Sequence, residues 1–114
     1  LMMAGGALGL IEVVGLATAL AALDAACKNA DVRLVGCEKV IGVDKAISIT
    51  IEIAGQVAAV QSSVEAGDIA AKKVGKVIAV HVIPRPHEEL EQIFMKFEEK
   101  YNQILLDNKI EEEK

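Results

Sequence analysis

Residues 47–54 read ISITIEIA: isoleucine at 47, 49, 51 and 53, with serine, threonine and glutamate between them. Strict alternation of this kind puts the isoleucines on one face of a β-strand and Ser48, Thr50 and Glu52 on the other. Working outward, residues 32–37 (VRLVGC) also alternate and predict a partner strand. The segment 38–46 (EKVIGVDKA) between them predicts a loop around Gly42 and Asp44. Residues 7–13 (ALGLIEV) are short, apolar and bounded by glycines, which predicts an earlier strand, and residues 77–83 (VIAVHVI) a later one ended by Pro84 and Pro86.

Two helical segments complete the pattern. In residues 16–30, Leu16, Leu20, Leu23 and Cys27 recur at spacings of four, three and four, which predicts one apolar stripe facing inward. Residues 56–73 carry Val57, Val60 and Val64 on one face and end in Lys72 and Lys73, where the helix dipole favours cations. The order β-α-β-β-α-β is the split βαβ, ferredoxin-like arrangement. The predicted class is therefore α+β: a four-stranded antiparallel sheet with two main helices on one face, plus a C-terminal helical extension. That extension covers about residues 87–107, with Leu90, Phe94, Phe97, Tyr101 and Ile104 at heptad-like spacing.

Composition narrows the function. The 114 residues are 53% hydrophobic and 25% charged, so the chain folds as one domain rather than staying disordered. Every aromatic side chain (Phe94, Phe97 and Tyr101) lies in the last quarter, so the body offers no base-stacking platform. The net charge of -5 opposes a nucleic-acid partner, and no aromatic belt suits a membrane interface. Residues 1–86 hold eight acids and eight bases, and residues 87–114 hold nine and four. A neutral, Ala/Val/Ile-rich body invites self-association, and the acidic tail keeps it soluble. Cys27 and Cys37 are too few for a disulfide scaffold and read as buried free thiols of a reducing cytoplasm. The apolar start, split by Glu12 and four glycines and lacking a basic region, does not read as a secretory signal.

No catalytic residue is expected. His81 and His87 lack a paired nucleophile and an acidic orienter, and their spacing is no metal signature; His81 reads as a strand residue packed at a subunit contact. Read alone, Lys28 is a surface lysine, Arg85 belongs to a rigid turn between prolines, and Cys37 is a small side chain before a hairpin.

The segments ALGLIEVVGL (7–16), AALDAACKNADVRLVGCEK (21–39), AGQVAAVQSSVEAG (54–67) and AAKKVGKVIAVHVIPRPH (70–87) occur in that order, and HVIPRPH is the most specific of them. Together the set resembles the single-domain shell proteins of bacterial microcompartments. The resemblance implies a shell domain over residues 1–91, an extension over 92–114, and no enzymatic activity or cofactor. It implies cyclic homohexamers that tile into a cytoplasmic shell with other shell proteins around enclosed enzymes, with a metabolite pore on each six-fold axis. It assigns Lys28, Asp31 and Arg85 to the hexamer edge, with Asp31 standing where the family often has asparagine. It assigns Ile41, Gly42, Val43, Asp44 and Lys45 to the pore, in a loop longer than the family's short glycine-rich turn. A few relatives hold an iron–sulfur cluster at the axis, which makes Cys37 the residue to weigh for a metal. A small-ligand sensor on a ferredoxin-like oligomer is the other reading of the same fold.

Overall fold

A computed structural model describes residues 6–42 and 46–112. Seven elements follow in the predicted order: β1 (Ala7–Val14), α1 (Leu16–Asn29), β2 (Arg33–Ile41), β3 (Ile47–Gly55), α2 (Val57–Lys72), β4 (Val77–Ile83) and α3 (Glu88–Glu112). The strands form one antiparallel sheet in the order β2-β3-β1-β4, so the N-terminal strand is central and β2 and β4 are the edges. The hairpin runs further than its sequence predicts. β2 continues to Ile41 and pairs it with Ile47, because Glu38, Lys39 and Val40 extend the ladder through Thr50, Ile49 and Ser48.

The alternation in β3 sorts the two faces. Ile49, Ile51 and Ile53 join Ala7, Ile11 and Val13 of β1 in the main core, beneath Ala19, Ala22 and Ala26 of α1 and Val60, Val64 and Ala71 of α2. The opposite face carries a second cluster of Leu8, Val35 and Ala54, against which Leu10, Ile83 and Leu90 pack. Leu90 belongs to α3, so the C-terminal helix begins on the face that α1 and α2 leave open. A register shift between Leu34 and Gly36 is what turns Val35 to that second face.

The turn from β1 into α1 needs glycine. Gly15 has φ of 89°, in the left-handed region that side chains disfavour, and its N–H donates to the Ile47 carbonyl at 2.9 Å. Gly9 serves a different need, close approach. A Cβ there would stand 2.6 Å from Val64 Cγ2, 2.9 Å from Ile53 Cγ1 and 2.9 Å from Val60 Cγ1.

The apolar stripe expected on α1 is not its buried face. Thr18, Ala19, Ala22 and Ala26 are buried, whereas Leu16 and Leu20 are 63% and 55% exposed and Cys27 is exposed. Helix α1 stands too close to the sheet and to α2 for leucine, so alanine fills the contact and the larger side chains turn outward. On α2 the expectation holds: Val60 and Val64 are buried and Val57 is partly buried. Helix α3 is continuous over 25 residues, about 37 Å at 1.5 Å per residue. Of its expected stripe, Leu90 packs on the sheet, and the side chains of Phe94, Phe97, Tyr101 and Ile104 lie outside the described residues.

Gly9→Ala is expected to destabilise the fold by about 1–3 kcal/mol, since overpacking outweighs the roughly 0.5–1 kcal/mol that replacing glycine returns in backbone entropy. Urea denaturation monitored by far-UV circular dichroism reads the shift.

Candidate interface and pore residues

Among the described residues, those singled out by the sequence are dispersed over the surface rather than gathered into a cleft. Lys28 lies in the last turn of α1, where its charge suits the dipole. Its Nζ meets Asp24 Oδ2 at 3.0 Å across one helical turn, with both side chains well exposed. Asp24, rather than Asp31, is therefore the acidic neighbour of Lys28 within the chain. Asp31 is exposed in the link to β2, where the chain leaves α1 through an extended Ala30. Arg85 is exposed between Pro84 and Pro86, in the turn from β4 to α3. The flanking prolines fix φ on both sides and leave the guanidinium's five donors pointing from a stiff base.

At the other end of the sheet, the β2–β3 hairpin carries its apolar residues in the open. Val40, Ile41 and Ile47 are 55%, 71% and 40% exposed. Gly42 donates its N–H to the Ala46 carbonyl at 2.8 Å and closes the described part of the turn. Val43, Asp44 and Lys45 lie outside the described residues.

The two histidines have separate positions. His81 is exposed on β4, opposite Leu10. His87 precedes α3, and its Nδ1 accepts the N–H of Glu89 at 3.2 Å while its carbonyl accepts that of Leu90 at 2.8 Å. This side chain caps the helix, a role the sequence reading missed because histidine is not among the favoured capping residues.

Neither thiol is buried, contrary to expectation. Cys27 and Cys37 are both exposed. Cys27 sits on the outward side of α1. Cys37 opposes Ile51 on the helix side of the sheet, but in edge strand β2. Partial burial pushes the Cys37 thiol up, and the charges of Glu52 and Glu38 push it further. For Cys27, partial burial and then Asp24 act in the same direction. Among the described residues no group of three His, Cys, Asp or Glu side chains could hold a metal ion. One chain supplies a single thiol at the Cys37 position, so a cluster there would draw its thiolates from several copies.

The open face of the sheet adds a feature that was read only as alternation. Glu52 is 3% exposed and its Oε2 has no hydrogen-bond partner among the described residues. Burial and the charge of Glu38 raise its carboxyl from 4.5 to about 7, against a smaller opposing effect from a backbone hydrogen bond. Glu12 and Glu38 flank Thr50 on the same face, and the Thr50 hydroxyl approaches Glu12 Oε2 at 3.5 Å, the outer limit of a hydrogen bond.

A ferredoxin-like sheet whose notable residues sit at turns, helix ends and strand edges defines a protein of surfaces rather than of a cleft. Residues 7–86 match the family described as the BMC domain. Over 90 residues the chain is 47% identical to the bacterial microcompartment shell protein PduA of Salmonella typhimurium, covering 79% of this chain and 92% of that one. It is 43% identical over 88 residues to the microcompartment shell protein EutM of Escherichia coli, covering 77% and 87%. To the carboxysome shell protein CsoS1 of Prochlorococcus marinus it is 44% identical over 88 residues, covering 76% and 82%. Among solved structures, a microcompartment protein from Desulfitobacterium hafniense superposes with a TM-score of 0.60 at 36% identity, covering 75% of this chain and 44% of that one. The chain belongs to the BMC-domain family: it is a bacterial microcompartment shell protein, a structural component and not an enzyme. Among the described residues no helix is long and apolar enough to cross a membrane.

Both cysteines are expected to react more slowly with a disulfide reagent at pH 7.5 than a free thiol does, despite their exposure, because a raised pKa leaves less thiolate. Single Cys→Ser variants separate the two rates.

Proposed function

We propose that the chain forms cyclic homohexamers that tile edge to edge, with other shell proteins, into the wall of a cytoplasmic microcompartment. A pore on each six-fold axis passes metabolites to and from enclosed enzymes. The observation that carries this reading, beside family membership, is apolar surface left in the open. Leu16 and Leu20 on α1, Ile69 at the end of α2, Val74 in the following turn, and Ile78 and Val80 on edge strand β4 are all exposed. Exposed hydrophobes and an uncovered apolar strand edge favour aggregation in a monomer and association in an oligomer. Contacts between unlike surfaces of identical copies form rings when the rotation between copies closes.

In this reading residues 1–91 form the wall and residues 92–114 are an extension. Lys28, Asp31 and Arg85 mark the edge of the ring. Lys28 and Arg85 can donate to backbone carbonyls of the next ring, and the Lys28 stem can lie along the neighbour's apolar surface. The hairpin faces the axis, so that Ile41 and Val43 become hydrophobic rings around Gly42, and Asp44 and Lys45 become rings of charge. Such rings govern what passes through a pore.

Mass-resolved light scattering at micromolar concentration is expected to give a six-chain ring; a stable monomer overturns the proposal. Arg85→Ala and Lys28→Ala are expected to keep the ring and lose extended sheets in electron micrographs, since a hydrogen-bonding anchor of about 1–3 kcal/mol is removed at every edge. Sheets of wild-type extent overturn the edge assignment. Asp44→Lys is expected to change the flux of charged substrates into loaded compartments more than that of neutral ones. Equal flux for both removes Asp44 from the pore.

A further inference from the structure

Beyond the proposed shell role, the sheet face on which Leu90 of α3 packs contains a titratable group to which that role assigns no part. Glu52 sits on β3 between Leu10 of β1 and Gly36 of β2 in the register. Gly36 has no side chain to cover it, so the sheet alone does not bury this carboxyl. The cluster beside it, Leu8, Val35 and Ala54, receives Leu90 from the first turn of α3. Glu52 is nevertheless 3% exposed, and its Oε2 is unpartnered among the described residues. A carboxylate in that position gives up hydration without a compensating bond, and a carboxylic acid gives up much less.

We propose that Glu52 is a proton-operated latch for α3: with the carboxyl protonated the helix closes over the open face of the sheet, and with it ionised the helix loosens and uncovers the Leu8–Val35–Ala54 cluster. The acidic groups around it favour this behaviour. Glu38 on β2 and Glu12 on β1 flank Thr50 on the same face and add negative charge. Arg33 opposes Ala54 and His81 opposes Leu10, each one position further along or across that face. On α3 the described charged side chains, from Glu88 to Glu112, are all exposed. The Cys37 thiol of β2 lies within the field of Glu52 and rises with it.

The sign follows from linkage. The closed form holds Glu52 at about 7, above its ordinary 4.5. Closure is therefore strongest below the ordinary value, weakens as pH rises through about 7, and levels off above it. Between pH 5 and pH 8 the closing equilibrium should fall on the order of tenfold to a hundredfold.

Hydrogen–deuterium exchange of the full chain, resolved by mass spectrometry and corrected for the intrinsic pH dependence of exchange, tests this. The assembly state is held constant by light scattering. Protection of amides 88–112 is expected to drop at least tenfold from pH 5 to pH 8 in the wild type and to stay level in Glu52→Gln. Glu38→Gln is expected to move the midpoint to lower pH, because it removes a charge that raises Glu52. Level protection in the wild type overturns the latch, as does an undiminished pH dependence in Glu52→Gln. Should Glu52→Gln fold poorly by circular dichroism, the Glu38→Gln midpoint decides, and an unmoved midpoint overturns the proposal.

Discussion

The close approach of α2 and α1 to the central strand is the constraint from which the rest of the structure follows. At Gly9, three branched side chains stand nearer than any real Cβ tolerates. At Gly67 a Cβ would sit 3.0 Å from the Ala22 carbonyl oxygen and 2.7 Å from Ile11 Cδ1. These two glycines let α2 lie against β1 and α1 together, and the buried alanines of α1 continue the same short spacing. Interiors are close-packed, so a contact this tight admits few alternatives. It fixes the two helices on one face and leaves the other to whatever follows β4.

Filling the helix contact with glycine and alanine displaces the larger hydrophobes to the surface. Leu16 and Leu20 are as much a consequence of Ala19 and Ala22 as of their own periodicity: once the small side chains take the inner face, the leucines occupy the outer one. Edge strand β4 shows the same economy, with Ile78 and Val80 exposed while Val77 and Val82 pack partly into the core. A shell protein works by association, and its surface needs this apolar area more than its interior does. The same distribution in a solitary protein would be an aggregation hazard.

Strand alternation made the sheet legible from the sequence. The isoleucines of 47–53 and the apolar words at 7–13 and 77–83 lead to the observed element order, and the valines of α2 to its buried face. Helix α1 was misread because leucine outweighs alanine in hydrophobicity, whereas the buried face was decided by distance, which periodicity does not encode. The length of the hairpin was missed because Glu38 and Lys39 look like loop residues, although in an edge strand charged side chains are ordinary. The thiols were misjudged for a related reason: cysteine is often buried, but Cys37 falls on an edge strand and Cys27 on the outer side of α1. Glu52 was visible only as the polar half of an alternation. That Leu90 of α3 folds back onto the same face is a tertiary fact with no local signature. The places of Lys28 and Arg85 at a helix end and in a proline turn were legible, and their role came from resemblance rather than from geometry.

Charge then separates the directions in which copies can approach. Residues 1–86 are balanced, eight acids against eight bases, so bodies packed side by side meet no net repulsion. The whole surplus of five negative charges lies beyond residue 86, all of it along α3. Because α3 starts on only one face of the sheet, this charge is not shared equally between the two faces of the body. Face-to-face stacking that brings α3 helices together is opposed at distances up to about a Debye length, roughly 8 Å at physiological ionic strength. Lateral contact through the neutral body escapes that penalty. A chain that hides small residues inside, shows large ones at its flanks and keeps its surplus acids on one helix is therefore biased against face-to-face stacking. That bias arises from the order of residues along the chain, before any specific edge contact is made.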